Sequence, residues 1–158
     1  LILLFKLFLI GLFLIGCTNF DKSEISNLKK LSQVEILTND EYISNLIKTK
    51  VENSLSKYNV NSSSEKNYKV EIGISEKIEG SILSNSIRKI EMTTDYKIFD
   101  TFKNIVIYED SFSRYSLLGP IDSLFSREQS ERNARKRLGI SIANDIIIRL
   151  VQWAEFSY

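Results

Sequence analysis

Hydrophobic positions change their spacing several times along the 158 residues. Leu1 to Gly16 is apolar throughout except for Lys6, and a polar stretch with scattered apolar positions follows from Thr18 to Gln33. Gln33 to Leu37 reads as a short strand. Thr38 and Glu41 are spaced as a capping box, a hydroxyl at the cap and a carboxylate three residues later. Ile43, Leu46, Ile47, Val51, Leu55 and Tyr58 then recur at helical spacing, predicting an amphipathic helix of about 18 residues.

Beyond the loop-forming composition of Asn59 to Ser64 the period falls to two. Tyr68, Val70, Ile72, Ile74 and Ile78 alternate with Lys69, Glu71, Gly73, Ser75 and Lys77, as in a strand with one buried and one wet face. A turn region, Gly80 to Asn85, separates it from a second alternating run. There Ile90, Met92, Thr94, Tyr96 and Ile98 oppose Lys89, Glu91, Thr93, Asp95 and Lys97. A third strand is expected from Asn104 to about Phe112. Its Ile105-Val106-Ile107-Tyr108 segment is apolar at every position and predicts deeper burial.

After Gly119-Pro120 the helical period returns. Ser126 with Gln129 is a second capping-box pattern, opening a long helix to about Trp153. Leu138, Ile142, Ala143, Ile146, Leu150 and Trp153 share its broad apolar face, with Asp145, Arg149 and Gln152 opposite. The order strand, helix, three strands, helix predicts an α+β fold: two helices packed on one face of a largely antiparallel four-stranded sheet. Residues 33–158 are read as this single domain, preceded by a signal segment (1–16) and a tether (17–32).

Composition narrows the chemistry. The net charge is +1, so electrostatics give no reason to expect a nucleic-acid partner. There is no His and one Cys, which removes the commonest metal ligand and general base and any internal disulfide. No zinc spacing, phosphate-cradling glycine loop or His-based triad is present. No enzyme activity, cofactor or metal is therefore expected. The basic run Arg132, Arg135, Lys136, Arg137 has Glu128 and Glu131 as i,i+4 partners for Arg132 and Arg135, an ordinary solvated helical turn. The alternative is pairing with glycolipid phosphates, for which the forked arginine donors are suited. The same two readings apply to Arg88, Lys89 and Arg114 near strand ends.

The apolar run ending at Gly16 is shorter than the roughly 20 residues that span a bilayer, and reads as the core of an export signal. The sequence starts without Met, so a few basic residues are expected upstream. Leu14-Ile15-Gly16-Cys17 resembles the lipobox of bacterial lipoproteins. The small Gly16 suits the cleaved bond, and the Cys17 sulfur would take a diacylglyceryl group. Several acyl chains, at roughly 0.8 kcal/mol per buried methylene, make such attachment practically permanent. Thr18 stands where an Asp would, by the same resemblance, retain the protein at the inner membrane; the implied destination is the outer membrane.

Residues Ile87 to Asp100, opening with Arg88 and carrying Tyr96 before Asp100, resemble a strand of the lipopolysaccharide-assembly lipoprotein family, LptE. The stretches Ser113-Arg114-Tyr115-Ser116, Glu131-Arg132-Asn133-Ala134, Arg137-Leu138, Ala143-Asn144-Asp145-Ile146 and Arg149-Leu150 are similar to the closing part of alphaproteobacterial members. The resemblance implies a plug inside the large β-barrel of LptD type that inserts lipopolysaccharide into the outer leaflet. It also implies help in folding that barrel, and contact with lipopolysaccharide through Arg88, with Lys89 and Arg114 nearby. The expected location is the periplasmic side of the outer membrane, or the barrel lumen. Two other readings stand beside it: an auxiliary lipoprotein of another envelope transport or secretion complex that binds a protein partner only, and an envelope hydrolase.

Overall fold

A computed structural model describes residues 29–58, 65–80, 87–120 and 123–156. The signal segment, Cys17, the 59–64 loop and the 81–86 part of the first turn lie outside the described residues.

The alternating segments form the sheet. Strand β1 (Val34–Thr38) leads to helix α1 (Tyr42–Leu55) and a short 3₁₀ turn (Ser56–Tyr58); β2 (Tyr68–Glu79), β3 (Arg88–Asp100) and β4 (Ile105–Leu118) follow, then helix α2 (Leu124–Phe156). The sheet order is β1-β2-β3-β4. β2 to β4 form an antiparallel meander, with Tyr68 opposite Asp100 and Arg88 opposite Leu118, and β1 lies parallel to β2 with Val34 opposite Tyr68. α1 is therefore the crossover that a parallel pair requires. The expected α+β class holds, with two helices on a mixed sheet in which two of the three pairings are antiparallel.

The core fills the space between sheet and helices. Ile36, Val70, Ile72, Ile90, Met92, Tyr96 and Ile98 from the strands meet Ile47, Val51 and Leu55 of α1 and Leu138, Ile142, Ile146 and Leu150 of α2. Tyr68 packs edge-on against Trp153, ring centroids 5.0 Å apart. The two helices pack closely at Gly139, where an added Cβ would lie 3.2 Å from Ile43 and 3.3 Å from Leu46. Residues 29–32 form a helical turn whose Leu31 is buried in this core, so the packed unit begins ahead of Gln33.

Both capping boxes are displaced. Thr38 stays in β1, paired with Ile72, and α1 is capped by Glu41, whose backbone is extended and whose side chain makes no capping bond. The strand ladder holds Thr38 against the cap. α1 is also shorter than its periodicity implies, because Tyr58 belongs to the 3₁₀ turn. At α2, Ser123 Oγ accepts the Ser126 N–H at 3.1 Å, the geometry of an N-cap and its third helical residue. Ser126 is thus the residue being capped.

The largest departure is β4. Ile105, Val106, Ile107 and Tyr108 are between 39% and 49% exposed, because this strand is the sheet edge. An apolar run without alternation is what a doubly covered central strand shows; here it lies at an open border. Among the described residues no helix is long and apolar enough to cross a membrane.

Candidate functional site

Charged residues on the flanks of α2 reach the three antiparallel strands. Arg135 holds Glu76 of β2 through two parallel bonds of 2.9 Å, and its Nη2 also lies 3.6 Å from Glu131. Glu131 in turn pairs with Arg88 at the start of β3. Further along, Asp145 accepts Nε (2.6 Å) and Nη2 (2.9 Å) of Arg114, and Arg149 pairs with Asp110, both on β4. Arg149 also lies over the Phe112 ring, 4.6 Å from its centroid. Asp145 and Arg149, with Glu131 and Arg135, are therefore clamps to the sheet, while Gln152, Arg132, Lys136 and Arg137 stay exposed.

The three basic residues singled out for glycolipid contact all lie in internal pairs. Arg88 is 8% exposed and bound to Glu131, with its Nε buried and unpartnered. Lys89 contacts Glu91 at 2.6 Å and Glu79 at 3.9 Å and sits 5.3 Å from the Tyr115 ring centroid. Its hydrogen bond to Glu91 raises its pKa. Arg114, half exposed, is raised likewise by its bond to Asp145. A phosphate reaching any of them would compete with a carboxylate of the same chain. The structure does not gather the three into one cradle: Arg88 and Lys89 open β3, whereas Arg114 sits opposite Met92.

Near these pairs lies a depression of about 540 Å³ between the start of α1, β2 and the first turns of α2. It is bordered by Glu41, Tyr42, Glu76, Glu128, Glu131 and Arg135, among others. Its walls mix both signs, and Glu76, Glu131 and Arg135 are already joined to one another. Among the described residues Tyr96 is the phenol with a strong shift, and burial pushes it above its usual range. Among the described residues no group of three His, Cys, Asp or Glu is placed to hold a metal ion.

What the surface does offer is the border formed by β4, fourteen residues long with backbone groups on one side paired only to β3. Such an edge is a ready template for another strand. Tyr115 and Leu117, 63% and 59% exposed, extend its apolar character toward the far end.

This architecture recurs in solved structures. A candidate lipoprotein of Caulobacter crescentus CB15 superposes with a TM-score of 0.63 at 14% identity, over 80% of this chain and 93% of its own. A minor lipoprotein of Acinetobacter baumannii gives 0.59 at 11% identity, over 75% and 90%. The rare lipoprotein B of Shewanella oneidensis gives 0.53 at 15% identity, over 75% and 93%. The fold is one that bacterial lipoproteins use. No family model matches the sequence, and no curated protein matches it.

Sequence reasoning did not anticipate the clamps, since the partners stand 31 to 59 residues apart. The only signal available was the density of Arg and acidic residues along one helix. The open edge was missed because periodicity reports which faces are apolar and not where a strand stands in its sheet.

Proposed function

We propose that this chain is an outer-membrane lipoprotein, anchored through Cys17, that seats in and helps assemble the β-barrel that inserts lipopolysaccharide. The observation that carries the reading is the fold: one lipoprotein architecture accounts for nearly the whole length of three lipoproteins and for most of this chain. The Leu14-Ile15-Gly16-Cys17 lipobox and the resemblance to LptE support it from the sequence. No covalent chemistry is assigned to the chain; its part is to bind and position.

One observation favours the second reading, an auxiliary lipoprotein that binds only protein. Arg88, Lys89 and Arg114 are each neutralised by a carboxylate of the same chain, whereas β4 presents an open strand edge. Capture of the full chain, tagged at its C-terminus, from membranes in mild detergent separates the two. Recovery of the lipopolysaccharide-inserting barrel in near-equal amount is expected. Recovery of a different envelope complex without that barrel would leave the lipoprotein fold in place and replace the function.

A further inference from the structure

The described chain begins at one end of the molecule, and that end carries exposed apolar side chains. β1 starts there, with Val34 level with Tyr68 and Asp100. The β3–β4 turn, the first residues of β4 and the last turn of α2 lie at the same end, because α2 runs antiparallel to β4: Asp145 meets Arg114 and Arg149 meets Asp110. Phe102 and Phe156 are 71% and 74% exposed there, beside Ile105 and Val106.

Phe102 is not on a loose loop. The Asp100 carboxylate accepts the N–H groups of both Phe102 and Lys103 at 3.0 Å. Thr101 bonds back to Asn67 through its N–H and its hydroxyl, at 3.0 and 2.8 Å. A turn tied at both flanks thus holds an aromatic ring in solvent. Exposed Lys57 and Lys103 stand at the same end with Glu65 and Glu155, so charge is mixed and the apolar groups decide the contact.

We infer that this end is a lipid-contacting foot: Phe102, Ile105, Val106 and Phe156 seat in the headgroup region of the leaflet that holds the acyl chains on Cys17. The inference rests on the lipid-anchor part of the function proposed above and is independent of the barrel. What selects lipid as the occupant is the connection of the chain. Cys17 precedes Lys29 by twelve residues, a reach of at most about 40 Å. A tether of that length holds the foot at an effective concentration in the millimolar range, so a contact too weak to bind a vesicle by itself is populated. Aromatic rings with nearby Lys suit that interface. The exposed apolar groups at the other end, Leu117, Leu124 and Phe125, cannot share the surface. β4 alone spans about 45 Å at ~3.3 Å per residue, so seating the foot holds them clear and stands the sheet upright on the membrane.

The test uses the full lipidated chain reconstituted in phosphatidylethanolamine–phosphatidylglycerol vesicles whose acyl chains carry bromine. A Trp reporter is placed by Phe102→Trp, or by Lys77→Trp on β2 near the opposite end, in a Trp153→Phe background. The comparison is repeated with Trp153 retained, reading only the added emission. The Phe102→Trp reporter is expected to lose most of its emission to the brominated lipid, and the Lys77→Trp reporter none. Attachment to the vesicles with no quenching at position 102 overturns the foot and leaves the anchor standing. Failure of every variant to attach overturns the anchor and the foot together. A position 102 shielded from acrylamide in native membranes, yet unquenched by brominated lipid, assigns this end to a protein and overturns the lipid assignment.

Discussion

Arg88 and Glu131 join β3 to α2 with side chains only 10% and 13% exposed. A pair so placed is a poor reason for stability in comparison with an apolar replacement, but breaking it from one side is costly, because the remaining ion stays buried. Glu131→Gln removes the charge and keeps the shape. It is expected to destabilise the fold by about 3–5 kcal/mol, read as a lower urea midpoint. The double replacement Arg88→Met with Glu131→Leu is expected to regain most of that loss; no recovery would mean that the pair has a role beyond mutual neutralisation. By contrast, Arg114→Ala at the half-exposed Asp145 pair should cost at most about 1 kcal/mol. At this scale little was legible in advance: Arg88 looked like a surface group for a ligand, and only its register opposite Leu118 and beneath α2 shows why it is buried.

Among the elements, α1 and α2 pack closely at Gly139. Adding a methyl there meets Ile43 and Leu46 at 3.2–3.3 Å, contacts that flexible side-chain ends can relieve. Replacing a helical Gly by Ala also gains about 1 kcal/mol in propensity. Gly139→Ala is therefore expected to leave the melting temperature within a few degrees of the parent. Gly139→Leu should lower stability by about 1–3 kcal/mol through overpacking, measured by the same urea titration. The elements themselves were largely readable. The change of period from 3.6 to 2 at Tyr68 and back after Pro120 located both helices and the meander, and Ile90 to Ile98 alternated as the buried face requires. The element ends were less so. Thr38 and Ser126 carry capping side chains, yet one is held by a ladder and the other already lies inside the helix capped by Ser123. The position of β4 was not readable at all, since Ile105 to Tyr108 has the composition of an interior strand and occupies a border.

For the molecule as a whole, the proposed function makes lipidation of Cys17 the step that decides where the fold operates. Cys17→Ser is expected to accumulate as an unprocessed precursor that takes up no acyl label, seen as a mass shift on gels and by metabolic palmitate labelling; normal processing of that variant would remove the lipoprotein reading. The reach of the contacts along the chain has a kinetic consequence. Neighbouring strands of the meander close short loops, with Ile78 opposite Ile90. The clamps of α2 close loops of 43 and 59 residues to β3 and β2. Loop-closure entropy makes such distant contacts late ones. The helix that makes them also follows every strand in chain order, so synthesis or export from the N-terminal side delivers it after the sheet it covers. Until it arrives, the three-stranded meander has one face missing the nine buried residues of α2. Completion of the core thus waits for α2, and a chain stalled before residue 124 would expose the apolar face of its sheet to any holding chaperone nearby.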